Sequence, residues 1–151
     1  MCKIIIIDGP NINLTGLREQ SVYGSMTYGA MKAEIIASIQ TENCDIHFFQ
    51  SNHEGYIIDE LHKCIGEYDG VVINPGAYTH YSYGIADAIK AISLPVIEVH
   101  MTNIYNRDEF RKNSVTASSC IGQICGFGWF GYVLGIKALI QRIRKAEGEN
   151  V

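Results

Sequence analysis

The chain alternates short, unbroken apolar runs with amphipathic stretches of helical period. Ile4 to Ile7 is a β-branched run with no polar alternation, the pattern of a strand buried on both faces of a sheet. Tyr28, Met31, Ile35 and Ile39 mark one face of a helix ending near Asn43, and Asp45 to Gln50 reads as a second strand. Ser51-Asn-His-Glu54 has the spacing of a capping box. It predicts a helix with Ile57, Leu61, Cys64 and Ile65 on one face, stopped near Gly66. Val71-Val-Ile73 is a third strand, turned by Asn74-Pro-Gly76. Ile85, Ala88, Ile89 and Ile92 give the next helix its buried stripe, Pro95 to Val99 reads as a fourth strand and Cys120 to Phe127 as a fifth. In the last helix Trp129, Tyr132, Val133, Ile136, Leu139, Ile140 and Ile143 recur at helical spacing, with Arg142, Arg144 and Lys145 in the final turns, where cations suit the dipole. Tyr132 and Gly135 read as packing residues of that helix.

Strands separated by helices imply right-handed crossovers and a parallel sheet. With no linker, repeat or low-complexity tract, residues 1–151 read as a single domain. The expected fold class is α/β, a flavodoxin-like three-layer sandwich whose five-stranded parallel sheet runs in the order 2-1-3-4-5. In that order the sheet reverses direction beside strand 1, so the loops after strands 1, 3 and 4 crowd one crevice. Three polar clusters fall on those loops: Asn11 to Tyr23; Asn74-Pro-Gly-Ala-Tyr-Thr-His80; and Glu98-Val-His100-Met-Thr-Asn103, running on to Arg107 and Arg111.

Composition narrows the classes. A net charge of −4 and a pI near 5.7 offer no broad basic surface, which argues against nucleic acid as a partner. No apolar run approaches the roughly 20 residues of a membrane span, and a strand begins within a few residues of Met1, leaving no room for a secretory signal. A cytoplasmic location is expected. The five cysteines Cys2, Cys44, Cys64, Cys120 and Cys125 are odd in number, form no Cys-x-x-Cys pair and mostly lie in apolar segments, which suits reduced core thiols better than disulfides or zinc. No Gly-x-Gly-x-x-Gly, Walker A or Gly-x-Ser-x-Gly run appears.

The candidate chemistry sits in the three clusters, and each has a plainer reading beside it. Asn-Pro-Gly is also an ordinary turn. Tyr23 is a loop tyrosine whose case rests on nearby Arg18, a cation able to stabilise a phenolate. His100 ends a buried strand two residues from Glu98, on the same side of the pleat, so that the carboxylate can orient the imidazole. His80 and His53 fit caps or surface positions equally. A metal held by Glu98, His80 and His100 is a rival use, without any helical His-x3-His spacing to support it. Arg107 and Arg111 fit either a helix face paired with Asp108 and Glu109 or a binding loop, since 102–119 carries little apolar periodicity. A Tyr, a His backed by a Glu, asparagines and arginines make an acid–base site for an anionic, hydroxyl-rich ligand, suited to elimination or isomerisation. The reaction itself does not follow from these residues. A related isomerase or dehydratase acting on another polyhydroxy keto acid, or a non-catalytic module holding a small anion or a nucleotide, stays open.

Taken together, Asp8-Gly-Pro-Asn-Ile-Asn-Leu14, Arg18-Glu19, Tyr23-Gly24, Gln50-Ser-Asn-His-Glu-Gly55, the Asn74–His80 run, Asp87-Ala88, Glu98-Val-His100 and Asn106-Arg-Asp-Glu-Phe-Arg111 resemble the type II 3-dehydroquinate dehydratase (3-dehydroquinase) family over nearly the whole chain. The resemblance implies the same fold and a shikimate-pathway lyase that removes water from 3-dehydroquinate through an enolate, without metal or cofactor. By matched position, Tyr23 is the base, helped by Arg18 and Arg107. Asn11 holds a water at the enolate oxygen, and His100, oriented by Glu98, is the acid. Asn74 and the amides of Met101 and Thr102 hold the carboxylate and C1 hydroxyl, while His80, Arg111 and Asp87 contact the other hydroxyls. The residue matching Asp87 comes from an adjacent subunit in a dodecamer, a tetramer of trimers. Ala86, Tyr56 and Asn106 depart from the usual pattern without removing a reacting group.

Overall fold

A computed structural model of the chain describes residues 1–148; the side chain of Tyr23, a predicted site residue, lies outside the described residues. Five strands, β1 (Cys2–Asp8), β2 (Cys44–Gln50), β3 (Gly70–Asn74), β4 (Val96–His100) and β5 (Gly122–Cys125), hydrogen-bond in the order β2-β1-β3-β4-β5. Every pairing is parallel. The helices are a short α1 (Gln20–Tyr23), α2 (Tyr28–Ile39), α3 (Glu54–Lys63), α4 (Tyr83–Ala91) and α5 (Phe130–Ala146). This is the expected flavodoxin-like order.

The unbroken run of β1 is explained by the two layers that cover it. Ile4 and Ile6 point into one core with Met31 and Ile35 of α2 and Tyr132, Ile136 and Leu139 of α5. Ile5 and Ile7 point into the other, with Ile57 and Leu61 of α3 and Ile85 and Ile89 of α4. Both faces of the central strands are dry, so both alternation phases must be apolar.

Local details correct three sequence readings. The capping box does not form: α3 starts at Glu54 with His53 as its cap, leaving Ser51 too far upstream, where its Oγ accepts the His53 N–H at 3.0 Å. Glu54 instead accepts the Ser82 hydroxyl, the same oxygen that caps α4 by accepting Ile85 N–H at 3.1 Å. Strand β5 is confined to Gly122–Cys125, because its ladder with β4 runs only from Ile97–Gly122 to His100–Cys125 before Gly126 turns the chain at φ 93°. Cys2 and Cys44, read as reduced thiols, are joined as a disulfide. Parallel register places them opposite one another with Cα atoms 4.6 Å apart, although 42 positions separate them in sequence. Cys64, Cys120 and Cys125 are free thiols. Burial pushes the first two up to about 12.

Candidate active site

The loops after β1 and β3 are interlocked by their backbones. Asp8 and Asn74 end neighbouring strands in register, and the Gly9 N–H donates to Asn74 O at 2.7 Å. A Cβ at Gly9 would lie 2.3 Å from the Pro75 carbonyl oxygen, so the approach requires glycine. Beyond it Asn11 takes the left-handed conformation, φ 67°, a cost that persists only where neighbours over-determine it. Two neighbours do: its N–H donates to Asn52 Oδ1 at 3.0 Å, and its carbonyl accepts from Arg18 Nε at 3.3 Å.

These loops and the one after β4 enclose a cavity of about 110 Å³. Asn11 and Arg18 reach it from the first loop, Asn74 and His80 from the second, and His100, Met101 and Thr102 from the third. Arg107 and Arg111 close it from the segment that follows. The crevice expected from the strand order therefore gathers nine of the predicted site residues. Glu98 lies behind His100, fully buried. Asp87 is exposed on α4 and does not line the cavity. The backbone of Tyr23 ends α1, beside Gly24 at φ 80°.

Glu98 and His100 form a buried carboxylate–imidazole pair at the cavity. His100 Nε2 is 2.6 Å from Glu98 Oε1. The carboxylate also accepts from Thr79 Oγ1 and Ser114 Oγ, each at 2.8 Å, from Gln123 Nε2 at 3.0 Å, and from Thr116 Oγ1. Burial alone would raise the carboxyl, but the bond and charge of His100, followed by the bonds of Thr116 and Thr79, hold it down to about 2. An ionised Glu98 requires Nε2–H on His100, which leaves Nδ1 as the nitrogen free to exchange a proton. His80 Nδ1 donates to Asn113 O at 2.7 Å, leaving its Nε2 as the other ring nitrogen, and burial lowers its pKa.

Charge at the cavity is one-sided. Three guanidinium groups line it and, among the described residues, no carboxylate does, although Glu19 pairs with Arg18 at 2.8 Å; the lining is a complement for an anionic ligand. Arg111 rests over the Phe110 ring at 4.8 Å and also lies 3.9 Å from Asp108, so its helix-face pairing is real but loose. The volume is well below the roughly 300–1,000 Å³ of drug-sized sites, which favours one small ring over a nucleotide. Among the described residues no three His, Cys, Asp or Glu side chains group as metal ligands, and no helix is long and apolar enough to cross a membrane.

Apart from Glu98 and Arg18, the sequence singled out none of the groups that hold this site in place. Asn52 sat inside a quoted motif without a role. Thr79, Ser114, Thr116 and Gln123 come from three separate segments and carry no shared spacing. Tyr132 packs in the core as read, and its hydroxyl also donates to Asp8 Oδ1 at 2.7 Å and accepts from Asn74 Nδ2 at 2.8 Å. A buried polar tip on an apolar stripe was the available signal.

Comparison with known proteins agrees with this geometry. The family model described as Dehydroquinase class II matches residues 2–140. A 3-dehydroquinate dehydratase of Caldicellulosiruptor saccharolyticus is 57% identical over 92% of this chain and 97% of its own length. One of Bacillus cereus is 49% identical over 97% of this chain and all of its own. The crystal structure of a type II dehydroquinase from Butyrivibrio crossotus superposes with a TM-score of 0.89 at 46% identity, covering 91% of this chain and 97% of that one. With the sheet order, the arginine-lined crevice and near full-length identity in agreement, the chain belongs to the class II dehydroquinase family of enzymes.

Proposed function

We propose that the protein is a lyase of the shikimate pathway that converts 3-dehydroquinate to 3-dehydroshikimate by anti elimination through an enolate, with Tyr23 as base and His100 as acid. The observation that carries this reading is the Glu98–His100 pair, set at the back of a small cavity lined by three arginines.

Tyr23, as phenolate, takes the proton from the carbon α to the ketone. A free phenol titrates at about 10, so its ionisation depends on the positive charge of Arg18 and Arg107. The resulting enolate oxygen is met by a water held by Asn11. The electron pair then forms the C=C bond as the C1–O bond breaks, and His100 gives its Nδ1 proton to the departing hydroxyl, which leaves as water. Glu98 stabilises the imidazolium throughout. Asn74 and the backbone amides of Met101 and Thr102 hold the carboxylate and the C1 hydroxyl, with Arg111 and His80 on the other hydroxyls. Asp87, exposed and away from its own cavity, serves the site of an adjacent copy in a dodecamer built as a tetramer of trimers. The chemistry needs no cofactor and no metal, because the substrate's own ketone is the electron sink.

The test is to mix purified protein with 3-dehydroquinate and follow the ultraviolet absorbance of the conjugated product, with and without borohydride pretreatment and EDTA. Turnover that survives both treatments is expected. A folded protein that fails to produce the enone would move the reading to a binding module. Tyr23→Phe is expected to abolish turnover while the ligand still binds; near-normal kcat would remove Tyr23 from the role of base.

A further inference from the structure

The Asn74 carboxamide faces the cavity, and two contacts decide which end of it points where: the N–H of Gly76, which lines the cavity, fixes the oxygen end, and a second contact fixes the nitrogen end. An amide's oxygen and nitrogen have nearly the same shape, so hydrogen-bond polarity sets the orientation. The nitrogen end is held from behind. Tyr132 is fully buried on α5 and its hydroxyl has one proton, which it donates to Asp8 Oδ1 at 2.7 Å. That oxygen is then left to accept, and Asn74 Nδ2 donates to it at 2.8 Å. The other carboxylate oxygen, Asp8 Oδ2, accepts the Tyr28 hydroxyl at 2.9 Å. Asn74 Oδ1 is committed to the Gly76 N–H at 3.1 Å, so one amide N–H remains for a ligand.

We propose that Asp8 and Tyr132 are a positioning pair for substrate binding: the carboxylate fixes the direction of the Tyr132 proton, and Tyr132 thereby pins the Asn74 amide with its spare N–H presented to the substrate's carboxylate or C1 hydroxyl. The proposal rests on the function proposed above and assigns work to two residues that it leaves unused. Packing alone does not account for them. A fully buried carboxylate whose direct partners are two phenols is a costly way to fill a core, and an apolar trio would fill the same space at lower cost. The neutral donors are placed where the carboxylate acts as acceptor only. Asp8 is also locked to Asn74 through strand register and the adjoining Gly9–Asn74 bond, so the relay has little slack.

The same geometry predicts a pH signature. The groups facing Asp8 are Tyr132 from α5, Tyr28 and Lys32 from α2, and its neutral strand partners Gln50 and Asn74. Once protonated, the carboxyl must itself donate: donation to Tyr132 turns the phenol proton toward Asn74 and releases the pin, whereas donation to Tyr28 leaves the pin in place, so acid loosens the pin only in part. Burial places this titration at about 6, with Tyr132, Tyr28 and Lys32 pulling the carboxyl back from a higher value. Asp8→Asn stays neutral at every pH, and its amide can still accept from Tyr132 and donate to Tyr28.

The experiment measures binding of quinate, which has the carboxylate and C1 hydroxyl but no ketone to enolise, by titration calorimetry across pH, alongside steady-state turnover of 3-dehydroquinate. Tyr132→Phe is expected to raise the quinate Kd and the KM roughly tenfold, the equivalent of one net hydrogen bond, with a much smaller change in kcat. Asp8→Asn is expected to keep Asn74 pinned and to lose the part of the acid-side weakening that the parent shows between about pH 7 and 5. An unchanged Kd in folded Tyr132→Phe overturns the proposal. Should that variant fail to fold, Asp8→Val, which removes the acceptor of the Tyr132 proton, serves instead: a Kd equal to the parent's at pH 8 overturns the proposal. Parent protein that never turns over 3-dehydroquinate sinks the proposed function; normal parent turnover with either null result sinks only the positioning pair.

Discussion

Glu98 and Asp8 are both fully buried near the C-terminal ends of parallel strands, yet Glu98 is held at about 2 and Asp8 at about 6. Burial pushes both upward, so dehydration does not separate them. What differs is the company. Glu98 accepts from three hydroxyls, an amide and an imidazole that can itself become a cation, whereas Asp8 accepts from two neutral phenols, with Lys32 acting only through its field. A buried carboxylate keeps its charge down to low pH when it is saturated with donors and touches an imidazole able to become a cation; with two neutral donors only, burial raises the carboxyl toward neutral pH. The two environments suit the two proposed tasks: in the proposed mechanism Glu98 remains anionic while His100 gains and loses a proton, and in the proposed positioning pair Asp8 needs only to accept.

The strongest way to break the contrast is Glu98→Gln, which keeps the shape and removes the charge. Kcat is expected to fall by roughly 10²–10⁴, because His100 loses both its tautomer lock and its counter-ion. Initial rates on 3-dehydroquinate would check it, and a loss of only a few-fold would mean that the hydroxyls alone orient His100.

Next in size is Thr116→Val, which deletes one donor to Glu98 and leaves that oxygen dry. A stability loss of about 1–3 kcal/mol is expected in denaturant titrations. The variant also sharpens the acid side. Glu98 is depressed from an ordinary 4.5 to about 2, so its contribution is fully present above about 4.5 and is lost as pH falls toward 2. A shift of that size corresponds to roughly 3 kcal/mol. With a donor removed the folded value rises, and the acid unfolding midpoint should move to higher pH; an unmoved midpoint would show that Thr116 does not help to hold the charge.

The smallest effect belongs to Asp8, and its sign is opposite. Its folded value is raised from an ordinary 3.8 to about 6, so the ionised carboxylate costs stability above about pH 6, a cost that fades as pH falls toward 3.8. Removing that charge would release at most roughly 3 kcal/mol, and because the neutral amide bonds the phenols less strongly, Asp8→Asn is expected to gain a net of about 1 kcal/mol at pH 8 relative to the parent, with the gain shrinking by pH 5. Thermal melts at the two pH values would check it. A variant more destabilised at pH 8 than at pH 5 would place Asp8 with Glu98, among carboxylates the fold prefers charged.

The halves of the site differ in how far residue spacing reveals them. Glu98 and His100 are two apart on one strand, and a period of two places them on one face whatever the rest of the chain does. The donors around Glu98 come from 76–80, from 114–116 and from β5, segments that no local period connects. The Cys2–Cys44 pair and the Ser51 misreading have the same origin. One follows from register between strands far apart in sequence, the other from a helix start that moved to the residue where Glu54 meets Ser82. Strand order and spacing together already point His80 and Arg111 toward the crevice, and both line the cavity.

The alternation of apolar runs and amphipathic stretches determined, by itself, the strands, the helices, the sheet order and the crevice to which the polar loops point, because burial on two faces leaves few arrangements open. Tertiary structure alone decided how firmly each buried carboxylate holds its charge. That depends on how many donors converge within about 3 Å of a dry oxygen, and convergence of distant segments is a property of the folded chain, written at no single position along it.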